Sequence, residues 1–179
     1  MASLEGLPRR VVLTGSESTG KTTLTADLAR HYDAPWVPEY VRGYADRKRA
    51  PLDAGDVTPI ALGQITLQDA ALMRAGALLL LDTDLLSTAI YARHYYGECP
   101  DWLTQAVLAR RADLYILCDI DVPWTPDPQR DRPSEREAMQ GLFREGLRSW
   151  GFPVVEVRGD RRERFLTART AIDRMLAAV

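Results

Sequence analysis

Gly15-Ser16-Glu17-Ser18-Thr19-Gly20-Lys21-Thr22 sets glycines, a lysine and a hydroxyl residue at the spacing of a phosphate-binding loop, G-x-x-x-x-G-K-[ST]. The two glycines let the backbone curl until successive N–H groups point at phosphate oxygens. Lys21 is spaced to reach the β- and γ-phosphates, and Thr22 to offer a hydroxyl to Mg²⁺ held between them. Thr23 falls one residue further, toward the α-phosphate. Gly15, Ser18, Thr19, Gly20, Lys21, Thr22 and Thr23 are therefore the candidate ATP contacts.

Phosphoryl transfer needs three further things: a carboxylate for the metal, a group to take or orient a hydroxyl proton, and cations for the developing charge. Asp82 and Asp84 follow the apolar run Ala77 to Leu81, where the Walker B carboxylate of such sites stands. Asp82 is the first candidate, with Thr22 the expected metal pair. Asp84 is the second, a candidate substrate contact that is equally suited to cap the helix beginning at Leu85. Glu39, after the short strand Ala34 to Pro38, is the candidate base, on the expectation that strand two ends beside strand one. Arg130 and Arg132 sit in a proline-rich segment able to close over the γ-phosphate, which makes both candidate catalytic residues and Arg130 an ATP contact as well. Arg42 is placed to pair with Glu39 or to bind the acceptor.

These residues need elements to hold them. Val11-Val12-Leu13 reads as a strand, and Thr23 to Arg30 carries apolar residues at helical spacing, so the loop has a strand before it and a helix after it. Residues 42–54 read as a charged, mobile surface segment. A helix is expected from Ile60 to about Arg74, a strand over Ala77 to Leu81, and helices over Leu85 to Tyr96 and Asp101 to Arg111. Tyr91, Tyr95 and Tyr96 read as packing residues there. A strand over Leu114 to Cys118 leads into the proline-rich loop. Ser134-Glu135-Arg136-Glu137 resembles a capping box that opens a helix to about Trp150, followed by a strand over Pro153 to Val157 and a last helix from Arg161 to Ala178. Strand, loop and helix repeated with short connections predict one α/β domain over 1–179. Its expected form is a P-loop NTPase with a five-stranded parallel sheet covered by helices on both faces.

The whole chain narrows the function classes. A net charge of −2 over 179 residues argues against a nucleic-acid surface and for a small-molecule substrate. Cys99 and Cys118 share no C-x-x-C spacing, which fits a reducing cytoplasm. No run is long enough to span a bilayer, so a cytoplasmic protein without a membrane partner is expected. Oligomeric state is not legible.

The blocks G-S-E-S-T-G-K-T-T-L, P-E-Y-V-R-G-Y, L-D-T-D-L-L-S-T and P-W-T-P-D-P-Q-R-D-R, in this order, resemble the ribosylnicotinamide kinase domain of the NadR proteins, within the P-loop kinase superfamily. The likeness runs from Val11 to about Val157. It implies phosphorylation of nicotinamide riboside by ATP with Mg²⁺, giving nicotinamide mononucleotide. It also implies substrate contacts at Glu39, Tyr40, Arg42, Asp84 and Trp124. Trp36, Tyr40 and Trp124 are the aromatics available to stack on a flat pyridinium cation. Related kinases place the loop after the fifth strand, here Arg158-Gly159-Asp160, against adenine. With no counterpart of the adenylyltransferase or DNA-binding portions in 179 residues, a stand-alone kinase is expected. A kinase for another nucleoside or small metabolite, and a regulatory P-loop ATPase, remain open readings of the same residues.

Overall fold

A computed structural model describes residues 7–124 and 133–178. Its centre is a five-stranded, wholly parallel sheet in the order β2-β3-β1-β4-β5. The strands are β1 (Arg9–Thr14), β2 (Trp36–Val37), β3 (Leu78–Asp82), β4 (Leu114–Cys118) and β5 (Val154–Val157). The helices are α1 (Lys21–Tyr32), α2 (Tyr40–Lys48), α3 (Val57–Leu72), α4 (Leu85–Tyr96), α5 (Asp101–Ala109), α6 (Arg136–Ser149) and α7 (Arg161–Ala177).

Continuous apolar strands follow from helices on both faces, because each successive side chain then meets a core. Val12, Leu79, Leu81, Tyr115 and Leu117 point into one core, closed by α3, α4, α5 and α6. Val11, Leu13, Leu78, Leu80, Leu114 and Ile116 point into the other, closed by α1 and α7. The α/β sheet expectation is borne out, and the limits of α4 and β4 fall where periodicity puts them.

Three local expectations fail for physical reasons. First, β2 does not lie beside β1, since β3 stands between them. Second, the charged segment after Glu39 is ordered. It begins as α2, whose Tyr40 ring covers Gly63 of α3, and Tyr44 Oη donates to Asp56 Oδ1 at 2.8 Å. Asp53 caps a 3-10 turn over Ala54–Asp56 with a reciprocal capping box, and Lys48 Nζ donates to Asp53 at 2.8 Å and also to Asp56. Third, α6 takes Glu135 as its N-cap with no side-chain cap hydrogen bond, and a 3-10 turn over Pro133–Glu135 precedes it. The Glu135 carboxylate instead meets His94 Nε2 at 2.9 Å, a partner no local pattern announces.

The register aligns the carboxyl ends that matter. Asp82 of β3 pairs with Leu13 of β1, one residue before the strand gives way to the loop, and Leu117 of β4 pairs with Thr14. Ligands of open parallel sheets bind at this edge.

Candidate active site

Gly15 leaves β1 at φ 124° and Gly20 enters α1 at φ 79°, with Ser18 also left-handed at φ 56°. A Cβ on Gly15 would lie 2.7 Å from the Cys118 carbonyl oxygen, so only glycine turns the chain there. A loop that aims its N–H groups inward must satisfy its carbonyls elsewhere. Lys21 Nζ donates to the oxygens of Gly15 and Ser16, at 3.0 and 2.7 Å. Arg136 of α6 donates to Glu17 O at 3.3 Å and Ser18 O at 2.9 Å, and also to Val122 O at 2.9 Å. Arg164 of α7 donates to Thr19 O at 2.8 Å, and Leu24 N to Gly20 O at 3.0 Å. Gln140, fully buried, accepts from Ser16 N at 2.9 Å while its amide nitrogen donates to Cys118 O at 3.1 Å. Burial and the nearby Arg164 charge pull the Arg136 guanidinium below its ordinary pKa.

Beside Lys21, Thr22 Oγ1 donates to Asp82 Oδ2 at 2.6 Å, and Asp82 is only 2% exposed. The two hard oxygens together fit Mg²⁺, an ion that completes its shell with phosphate oxygens and water. Thr83 follows at φ 66°, a left-handed conformation that costs a β-branched residue about 1–3 kcal/mol. Its N–H donates to Leu13 O at 3.0 Å, which ties the strained residue to the sheet.

A cavity of about 1360 Å³ extends from this loop to α2. That exceeds the roughly 300–1,000 Å³ of a pocket for one small molecule, and leaves room for a nucleotide and a second substrate. Its far end is lined by Glu39 and Arg42, by Gln64 of α3, and by Ser87, Tyr91 and Tyr95 of α4, with Thr83 also in the wall. Arg42 Nε stands 3.8 Å from Glu39 Oε2, so the expected pair forms.

Four residues singled out in the sequence are placed elsewhere. Trp36 packs on the core under α1 and α7. Tyr40 lies against Gly63, with the Arg47 guanidinium 5.5 Å from its ring. Trp124 lies 5.9 Å from the Arg136 guanidinium. Asp84 is 6% exposed; it accepts from Leu86 N at 3.0 Å as the α4 N-cap and from Tyr115 Oη at 2.9 Å. None of the four is in the cavity wall. Arg158 and Asp160 are also committed, Arg158 to Asp119 at 2.9 Å and Asp160 to capping α7. Arg130 and Arg132 lie outside the described residues.

Tyr91 and Tyr96 pack on the core as the sequence reading expects, and together with Tyr95 they also line the cavity. The Tyr91 and Tyr95 rings stack at 5.7 Å and 22°. Their i, i+4 spacing on one helix face was the available signal. Arg136, Gln140 and Arg164 had none, since each meets the loop across more than a hundred residues of chain.

The family profile described as AAA domain, AAA_28, matches residues 10–164. The chain belongs to the AAA-domain family. It is 30% identical over 175 residues to the trifunctional NAD biosynthesis/regulator protein NadR of Salmonella typhimurium strain LT2, covering 94% of this chain and 43% of that protein. A NadR structure in complex with NAD and AMP-PNP superimposes with a TM-score of 0.80 at 24% identity, over 96% of this chain and 50% of that one. NadR in complex with NR gives 0.77 at 25% identity over the same shares. The chain thus spans about half the length of the NadR proteins it matches. The resemblance to NadR read from the four motif blocks is borne out.

Burial lifts the Asp84 carboxyl from its ordinary 3.8 to about 6, against the Tyr115 and Leu86 hydrogen bonds that favour the charge. The folded state therefore holds this proton more tightly than the unfolded chain. The group costs nothing below about pH 4, and its penalty grows until about pH 6. Asp84→Asn keeps a good cap without the charge. Relative to wild type it should gain on the order of 2–3 kcal/mol of stability between pH 4 and 7. Urea midpoints across that range check this, and parallel curves for the two proteins contradict it. Arg136→Met should weaken nucleotide binding by about tenfold or more, since it strips charged donors from two loop carbonyls. Titration calorimetry reads that loss, and unchanged affinity removes Arg136 from the loop's support.

Proposed function

We propose that the protein transfers the γ-phosphoryl group of ATP to a hydroxyl of nicotinamide riboside, giving nicotinamide mononucleotide and ADP. The observation that carries this reading is one continuous cavity with a phosphate loop at one end and an acid with an aromatic wall at the other. Similarity to NadR proteins, one of them solved with NR and one with AMP-PNP, supports the choice of substrates.

The loop N–H groups after Ser16, whose own N–H is taken by Gln140, and the Lys21 ammonium bind the β- and γ-phosphates. Thr22 and Asp82 are the residues that would hold Mg²⁺, which when bound offsets charge on the phosphate oxygens. Glu39 accepts the proton of the acceptor hydroxyl as that oxygen bonds to the γ-phosphorus and the bond to ADP breaks. Arg42 holds the Glu39 carboxylate in place. Tyr91 and Tyr95 supply the aromatic surface for a flat cationic ring, in the role first expected of Trp36, Tyr40 and Trp124, and the Glu39 charge favours such a cation. Asp84 acts through the start of α4 rather than by touching substrate. Arg130 and Arg132 are proposed, from the sequence alone, to cover the transferring phosphoryl.

Lys21→Ala should abolish most transfer by removing a charge from the phosphates. Glu39→Gln should lower kcat by about 10²–10⁴-fold while leaving nucleotide affinity within about twofold. The measurement is ADP release with Mg-ATP, with and without nicotinamide riboside, with mass spectrometry of the acceptor. Riboside-dependent formation of the monophosphate is expected. ADP at one slow rate regardless of riboside would favour the regulatory ATPase, and unchanged turnover in Glu39→Gln would exclude it as the base.

A further inference from the structure

Two buried polar atoms in the acceptor end of the cavity lack a hydrogen bond among the described residues. Gln64 is 3% exposed and Ser87 4% exposed, and both line the cavity. The Gln64 Oε1 atom accepts from Tyr40 N at 2.8 Å. A backbone N–H only donates, so this bond fixes which end of the amide is oxygen and turns the NH₂ group away from α2. That Nε2 atom has no partner, and neither does Ser87 Oγ. A buried donor left unsatisfied costs about 1–3 kcal/mol, and native structures rarely keep such groups idle. Here two stand in one cavity, on helices α3 and α4 that pack against each other.

We infer that Gln64 and Ser87 are the hydroxyl-reading floor of the acceptor subsite and select a ribonucleoside over its deoxy counterparts. The inference rests on the kinase reading above. Gln64 Nε2 can only donate, so it needs an oxygen on the acceptor, while Ser87 Oγ can both donate and accept. A sugar diol meets both demands at once, and a deoxy sugar meets one. The placement suits the reaction. Gln64 grips the backbone at Tyr40, the residue after Glu39, and Ser87 sits one turn of α4 before Tyr91. A diol held on this floor would set the acceptor between the base and the tyrosine wall. A site built to hydrogen-bond a hydroxyl rejects the analogue lacking it strongly, because its own buried groups are then left unpaired.

The test compares kcat/KM for nicotinamide riboside with its 2′-deoxy and 3′-deoxy analogues, using the purified chain with Mg-ATP. Wild type should prefer the riboside over at least one analogue by about a hundredfold. Ser87→Ala should lose about tenfold or more on the riboside and much less on that analogue, with KM for ATP unchanged. Gln64→Glu replaces the donor by an acceptor at nearly equal size and should narrow the same ratio. The wild-type ratio needs no variant, so poor folding of Gln64→Glu leaves the test intact. Equal use of riboside and both deoxy analogues by wild type overturns the inference. So does an equal loss on all of them in Ser87→Ala, which marks a packing role. If wild type does not phosphorylate nicotinamide riboside, the kinase substrate reading fails by itself. Thermal shifts with the common ribonucleosides and their 2′-deoxy partners then decide the floor: a preference for ribosides that Ser87→Ala removes upholds it, and no preference refutes it.

Discussion

An anion site made from backbone has a hidden requirement: every N–H turned inward leaves a carbonyl turned outward that still needs a donor. In this protein the carbonyls of Gly15 to Gly20 are each met. Lys21, Arg136, Arg164 and the first turn of α1 share the work. The donors are mostly cations, so the same contacts that shape the loop also raise the positive field in which a phosphate would sit. Removing one leaves a carbonyl orphaned and lowers that field together.

The arrangement explains why the second half of the domain is built as it is. The first residue of α6 and a residue one turn further, Arg136 and Gln140, both face the loop, and α7 sends Arg164 beneath it. Arg164 also donates to Gly159 O at 2.9 Å and Asp119 O at 3.0 Å, so the ends of β4 and β5 are tied to the same point. Asp119 and Asp121 follow β4 and answer the guanidiniums there, Asp119 with Arg144 at 2.8 Å and Asp121 with Arg164. Loop, strand ends and two helices therefore form one polar unit above an apolar sheet. The acceptor end is built differently: α2, α3 and α4 bring carboxylate, amide, hydroxyl and tyrosine side chains to it, with the backbone in the background.

Local chemistry was readable where the requirement is local. The loop demands glycines at fixed offsets, a lysine and a threonine, between a strand and a helix, and all of that lies within one short stretch. Asp82 was readable because it ends a strand buried on both faces, and its bond to Thr22 follows from the register with β1. Asp84 shows the limit of the same logic. One residue position decides whether a carboxylate faces the cavity or caps the next helix, and Tyr115 of β4, on the far side of β1, settles it. Trp36 stands three residues before Glu39, but strand alternation sends its side chain to the core under α1 and α7.

The sequence by itself determined the fold class, the run of most elements, the phosphate loop and the Asp82 partner of Thr22. Each depends on periodicity or on a motif shorter than one helix. Only the tertiary structure decided that β3 separates β2 from β1, that the charged stretch after Glu39 is a helix packed on Gly63, and that Tyr91 and Tyr95 face the cavity. It alone brought Arg136, Gln140 and Arg164 to the loop. The reason is physical. Those contacts satisfy buried groups across more than a hundred residues of chain, and a donor's need for a distant acceptor leaves no mark on its own neighbours in sequence.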